Sequence, residues 1–338
     1  MRHHIEQFRE MNKKPLETLF NAMYHGKQSF QDFATCDVEQ RVTRKTVSDN
    51  SAKERIVYVA DKVLAKYHSF LNLFIFNHLP IREDIVFSYR KGTNAADAVK
   101  KHVNGRHFYQ VDIANFFPSI SADSVKKAIL RGIDHVPVSD VTEYLDRIID
   151  LVTVESTLPL GFSTSPTISN TALLLFDDAL SSVCLEKGLV YTRYSDDITI
   201  SAQEKESLLG MDATITRLLA EYDYPQMHLN DQKTKLTSIG RKIKILGMVI
   251  LPNGQLAVDS KIRNRIETML HFYVRNNDAL VDLTNADLEE SADVLGGLLN
   301  YVNTIDQKYL DKLRRRYGVT VIDTLIHRQK NTDSRRNK

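Results

Sequence analysis

Tryptophan is absent from the 338 residues, and cysteine occurs only as Cys36 and Cys184. Two distant thiols with no metal-binding spacing exclude a disulfide-built scaffold and fit a reducing cytoplasm. No run approaches the roughly 18 consecutive apolar residues that a membrane-spanning helix needs. The start, Met-Arg-His-His-Ile-Glu, lacks an apolar signal core. A soluble, cytoplasmic protein without a membrane partner is therefore expected. A dominant charge is missing too: 45 Lys and Arg against 43 Asp and Glu leave +2, so bulk charge does not argue for nucleic acid. Repeats and low-complexity tracts are also lacking.

What is present describes an ordinary globular chain, 42% hydrophobic and 26% charged, long enough for two or three domains. Charge is uneven along it. From Tyr301 to Lys338, ten Lys or Arg face four Asp, a net of +6. Such a tail can follow a phosphate backbone, with Arg314, Arg315 and Arg316 as candidate phosphate contacts, although charge runs at termini are often simply solvated.

The most informative stretch is Tyr191-Thr-Arg-Tyr-Ser-Asp-Asp-Ile-Thr-Ile200. Apolar and β-branched residues flank two adjacent acids, which predicts strand, tight turn, strand. Desolvating an unpaired carboxylate is costly, so Asp196 and Asp197 in such a hairpin call for a cation and for a further acid from a neighbouring strand. A second doublet, Asp177-Asp178, lies in a helical run and reads as a solvated or hydrogen-bonded helix face. In Phe108-Tyr-Gln-Val-Asp-Ile-Ala-Asn-Phe-Phe-Pro-Ser-Ile120, a strand carries one acid, Asp112, into an aromatic turn. Three acids on two strands of one sheet suit two Mg²⁺ ions, one activating a hydroxyl and the other steadying a triphosphate.

Elsewhere, residues 1 to about 50 read as polar helix, Lys53 to Val59 as a strand carrying Lys53 and Arg55, and 61 to 78 as an amphipathic helix. Lys53 and Arg55 are either strand-edge cations or phosphate contacts. Residues 87 to 105 form a basic loop leading into a short helix. Leu158-Pro-Leu-Gly-Phe-Ser-Thr-Ser-Pro-Thr-Ile-Ser-Asn170 is a loop opening a helix that runs to about Cys184; either Gly161 lets a nucleotide approach the backbone, or Ser163 or Thr164 merely caps the helix. A helix follows near 206 to 222, and Ile243 to Ile250 reads as a strand. From Asp259 the pattern is helical, with Ile262, Ile266, Met269 and Tyr273 on one stripe, which marks a boundary near residue 255.

The order of these parts resembles bacterial reverse transcriptases, most closely the compact retron type and related phage-defence enzymes, from about Lys53 to Gly318. Asp112 with Phe116-Phe117-Pro-Ser is similar to the first catalytic motif of the family. Leu158-Pro-Leu-Gly161 with Ser165-Pro166 and Ser169-Asn170 is similar to the second, and Tyr194-Ser-Asp-Asp197 to the third. Lys233-Thr234 and Leu246-Gly247 are similar to the fourth motif and the primer-grip hairpin.

The resemblance implies a right-hand polymerase fold of the α+β class. Residues 1–50 would be an N-terminal helical extension, 51–106 and 121–156 the fingers, 107–120 and 157–254 an antiparallel palm, and 255–338 a helical thumb with the basic tail. It further implies that Asp112, Asp196 and Asp197 are catalytic and, with Ile113, bind the metal. Phe117 would be a steric gate favouring dNTPs. Lys53, Arg55 and Gly161 would contact the nucleotide, Lys233 would protonate the leaving pyrophosphate, and Leu246 and Gly247 would touch nucleic acid. Three positions depart from the pattern: Leu160 replaces the usual Gln, Ala98-Val-Lys-Lys-His102 keeps only the His of a retron signature, and Ile245-Leu-Gly247 replaces Val-Thr-Gly.

The expected activity is an RNA-templated DNA polymerase serving a dedicated non-coding RNA in anti-phage defence, with its cDNA product, dNTPs and a separate effector protein as partners. With no room beyond the thumb for a nuclease domain, any effector is expected on another chain. The alternatives are a defence reverse transcriptase primed in another way, an RNA-splicing maturase, and a structural RNA-binding protein with a decayed polymerase site.

Overall fold

The computed structural model describes residues 13–48, 54–222, 224, 226–240 and 242–336, with side chains as far as Arg328; Lys53 lies outside the described residues. In chain order the first elements are α1 (Leu16–Tyr24), α2 (Phe30–Thr35), β1 (Val42–Ser48), β2 (Glu54–Ala60), α3 (Lys62–Phe74), α4 (Ala95–Lys100) and β3 (His107–Ala114). Then come α5 (Ala122–Gly132), α6 (Leu145–Val152), α7 (Ser165–Ala172), α8 (Leu174–Glu186), β4 (Val190–Tyr194), β5 (Asp197–Ala202), α9 (Met211–Glu221) and β6 (His228–Leu229). The remainder is β7 (Lys235–Ser238), β8 (Ile243–Ile245), β9 (Met248–Ile250), β10 (Leu256–Val258), α10 (Ser260–Arg275), α11 (Asn277–Thr284), α12 (Leu288–Ile305), α13 (Gln307–Tyr317) and α14 (Val319–Arg336). No single helix among the described residues is long and apolar enough to cross a membrane.

The chain forms two compact units. The first takes the chain up to Asn94 together with Phe108–Leu236, and the second takes Ala95–His107 and everything from Thr237 on. In the first unit, β1 and β2 pair antiparallel over seven residues as a ribbon largely open to solvent. The expectation of helix up to residue 50 fails here, because Val42–Ser48 has a partner strand that supplies the backbone hydrogen bonds. In the same unit, Phe20, Phe33, Tyr67 and Phe70 bring α1, α2 and α3 into one aromatic cluster with centroid spacings of 5.2–5.9 Å. Asp61 starts α3 by accepting hydrogen bonds from the N–H groups of Val63 and Leu64 at 2.9 and 2.7 Å.

The sheet that matters for the site has the order β4–β5–β3–β6. The predicted hairpin is β4 and β5, with Tyr194 opposite Asp197. Val111, Ile113, Ile198 and Ile200 point into the core with Ile168 of α7, Phe176 and Leu180 of α8 and Leu219 of α9. Of the two readings of the helical doublet, Asp177 takes the hydrogen-bonded one: on α8 it is fully buried and accepts from Tyr191 and Arg193.

In the second unit, β8, β9 and β10 form an antiparallel sheet beside the helices α10 to α14. Ile243–Ile250 is two short strands rather than one, because Leu246 and Gly247 both take positive φ (46° and 82°) and reverse the chain. The C-terminal stretch of this unit starts at Thr237, and Val258 of β10 belongs to the same core as Ile266, Met269, Leu295 and Leu310. Ile266 and Met269 of the predicted α10 stripe are fully buried, with Ile262 and Tyr273 packed beside them.

Candidate active site

Asp112 sits on β3, an interior strand of the sheet between β5 and β6, and is almost fully buried. Asp196 and Asp197 come from the β4–β5 turn. Of the two central turn residues only Ser195 has positive φ, 61°, the arrangement of a type II′ turn whose first position usually takes glycine. The turn is fastened to β3 by the Ile113 N–H, which donates to the Asp196 carbonyl at 3.0 Å. The sheet thus brings together the three acids that the sequence placed on two strands.

Their electrostatics are those of crowded like charges. Burial first, then Asp112, raises the Asp196 carboxyl above its ordinary range. Burial, then Asp196 and Asp112, pushes the Asp197 carboxyl up to about 6. One cation stands among them: Lys233 Nζ donates to Asp112 Oδ1 at 2.7 Å, and that bond raises the lysine pKa. The Asn230 N–H donates to the Asp112 carbonyl at 2.8 Å, and the Lys233 N–H donates to the Asn230 carbonyl at 2.9 Å, a tight turn that carries Lys233 back onto the acid. Asn230 is a contact that sequence reading missed.

No group of three or more His, Cys, Asp or Glu side chains among the described residues is already gathered as a metal cage. The donor set nevertheless fits a hard divalent ion: oxygen ligands only, raised carboxyl pKa values, and an ammonium already standing on Asp112 as a stand-in charge.

The other candidates are placed as follows. After β3, Asn115 turns the chain at φ 51°, and the Ser119 N–H and hydroxyl both donate to its carbonyl. The resulting turn buries Phe116 and leaves Phe117 half-buried, edge-on to Phe116 at 5.3 Å. Gly161, at φ 113°, has a packing role: a Cβ there would lie 2.4 Å from the Tyr58 carbonyl oxygen. The Tyr58 N–H donates to the Leu160 carbonyl at 2.8 Å, which pins this loop to β2. Thr164 is the N-cap residue of α7, but its side chain makes no capping bond. Arg55 lies exposed on β2. In the second unit, Leu246 and Gly247 form the β8–β9 turn. Arg314 pairs with Asp311 and Asp323, and Arg316 with Glu267, whereas Arg315 is exposed without an ion pair among the described residues.

Comparison with known proteins points the same way as this geometry. A family model described as reverse transcriptase (RNA-dependent DNA polymerase) matches residues 46–250. The chain is 26% identical over 248 residues to the retron Ec83 reverse transcriptase of Escherichia coli, covering 72% of this chain and 76% of that protein. The retron Ec73 enzyme of the same species is 28% identical over 255 residues (72% and 76% coverage), and the retron Ec48 enzyme 26% over 281 (78% and 66%). Among solved structures, apo telomerase from Candida tropicalis aligns over 85% of this chain and 61% of its own at 13% identity, with a TM-score of 0.47, too loose a likeness to carry weight.

Proposed function

Because the chain belongs to the reverse transcriptase family, and is an RNA-directed DNA polymerase of the retron type with the α+β right-hand fold, we propose that it copies one dedicated non-coding RNA into DNA in anti-phage defence. The observation that carries the catalytic reading is that one sheet sets Asp112, paired with Lys233, within electrostatic reach of Asp196 and Asp197.

Reverse transcriptases normally use divalent metal ions. Here Asp112, Asp196 and Asp197, with Ile113 beside them, are the residues to hold two Mg²⁺, which when bound supply Lewis acidity to the primer hydroxyl and the triphosphate. The primer hydroxyl gives its proton to water as its oxygen attacks the α-phosphorus of the dNTP; the new P–O bond forms, and the bond from that phosphorus to the pyrophosphate oxygen breaks. Lys233, kept protonated by Asp112, donates a proton to that leaving group. The half-exposed Phe117 ring blocks a ribose 2′-hydroxyl and so selects dNTPs. Arg55, with Lys53, contacts the triphosphate, and the Gly161 loop lies along the nucleotide. Leu246, Gly247 and the Arg314–Arg316 run grip nucleic acid. The partners are the RNA, its cDNA and a separate effector protein, in the cytoplasm.

The test is to purify the protein from its native locus and sequence what comes with it after RNase, DNase or debranching treatment. A discrete RNA joined to short complementary DNA through a 2′–5′ branch is the expected result. Unbranched DNA with a bound RNA would replace retron priming by another route. RNA without any DNA would overturn the dedicated-copying proposal.

A further inference from the structure

Beside the catalytic acids lies a cation that the chemistry above does not use. Arg193, on β4 three residues before Asp196, is the largest fully buried side chain of the described residues. A guanidinium out of water is stable only if every side of it finds an acceptor. Its Nε and Nη2 donate to the two carboxylate oxygens of Asp177 at 2.9 and 2.7 Å, and the Tyr191 hydroxyl donates to the same carboxylate at 2.7 Å. The remaining nitrogen reaches past that pair. Nη1 donates to the Ser195 carbonyl at 3.2 Å and to Asn170 Oδ1 at 3.3 Å.

Ser195 is the strained residue of the turn, and its other two polar groups are also held from outside the hairpin. Its N–H donates to Ser88 Oγ at 2.8 Å, and its hydroxyl shares a 2.8 Å hydrogen bond with the Tyr89 hydroxyl. Asn170 closes the ring by donating from Nδ2 to the Ser88 carbonyl at 2.9 Å. A serine at φ 61° persists only where its surroundings over-determine it. Rotating the Ser195 peptide would swing Asp196, the next residue, away from Asp112.

We propose that Ser88 and Arg193, the latter clamped by Asp177, are positioning residues that lock the Ser195 peptide and thereby present Asp196 to the metal. This rests on the reading of Asp196 as a metal-binding carboxylate. Ser88 adds a bond that a core ion pair serving packing alone does not need, because its hydroxyl accepts from the Ser195 N–H rather than from the arginine.

The full-length protein carrying Ser88→Ala or Arg193→Lys is compared with the parent and with Asp196→Asn. Four quantities are read: melting temperature, kcat and KM for dNTP in primer extension on RNA, Mn²⁺ affinity by titration calorimetry without nucleotide, and hydrogen exchange of the 191–200 segment. Ser88→Ala deletes one oxygen and should fold. We expect its melting point to stay within a few degrees, with faster exchange at the turn, kcat down about tenfold or more, KM within about twofold, and Mn²⁺ bound about fivefold or more weakly. Arg193→Lys should show the same pattern with a lower melting point; if it does not fold, Ser88→Ala decides alone.

Ser88→Ala with kcat and Mn²⁺ affinity within about twofold of the parent would overturn the proposal. An active Asp196→Asn would instead sink the catalytic reading beneath it, whatever Ser88→Ala does.

Discussion

Two Asp-Asp doublets lie 19 positions apart in the chain, and the structure treats them in opposite ways. In the helical doublet, each acid has its own arginine: Asp177 is paired with Arg193 and Asp178 with Arg82, both at 2.7 Å. In the hairpin doublet, neither Asp196 nor Asp197 has an ion pair among the described residues; the strongest charged neighbour of Asp196 is Asp112, and those of Asp197 are Asp196 and Asp112. Charge compensated within the fold is structural, whereas charge left uncompensated is available for a ligand. The residue type is the same in both places, so the partner is what separates scaffold from site.

Breaking the hairpin doublet should have the largest effect, and on activity alone. Asp196→Asn or Asp197→Asn is expected to lower primer-extension kcat by about 10³-fold or more, roughly 4 kcal/mol of transition-state stabilisation. Thermal unfolding should stay level or move upward, because one of three repelling charges has gone. A variant that loses stability in step with activity would put these acids in the same class as Asp177.

Breaking the helical doublet should cost stability, and activity with it through the freed Arg193. Asp177→Ala leaves the Arg193 guanidinium buried without its counter-ion, which costs about 3–5 kcal/mol of stability. Denaturant unfolding measures this directly. A cost below about 1 kcal/mol would mean that water reaches Arg193 and that the compensation argument fails.

A proton can also distinguish the two sites. The Asp197 carboxyl is pushed up to about 6, so above pH 6 it is ionised and open to a cation, while below pH 6 a metal must displace a proton. Apparent metal affinity should therefore fall as pH drops through about 6, by up to about tenfold per unit for the one proton displaced. Metal titrations of primer extension at pH 5.5 and 7.5 read this shift, after correction for kcat. Equal half-saturation at both values would show that Asp197 is not a ligand.

The candidate site was legible in the sequence where a local pattern carried it. Tyr191–Ile200 shows β periodicity interrupted by acids, and Asp112 is a lone acid on an apolar strand, so both strands and all three carboxylates could be named. The partnerships could not. Arg193 meets Asp177 across 16 residues and Lys233 meets Asp112 across 121, distances over which no local pattern extends. The strand β1 was missed because Val42–Ser48 is exposed along nearly its whole length and so shows no hydrophobic alternation. Leu246 and Gly247 were recognised as family-like, but three-residue strands on either side are too short for periodicity to reveal the turn.

The smallest effect belongs to Asp178, and it sharpens the comparison most finely because Asp178 and Asp177 are neighbours on one helix. Arg82 reaches Asp178 Oδ1 at 2.7 Å, but it also holds Asp84 at 2.8 Å, and the Asp178 side chain is 46% exposed. Water can replace one contact of a guanidinium that keeps another. Asp178→Asn should therefore cost less than about 1 kcal/mol in denaturant unfolding and leave primer extension unchanged. A loss approaching that of Asp177→Ala would mean that sequence position in the helix, rather than burial of the pair, sets the cost, and the distinction between the two doublets would lose its physical basis.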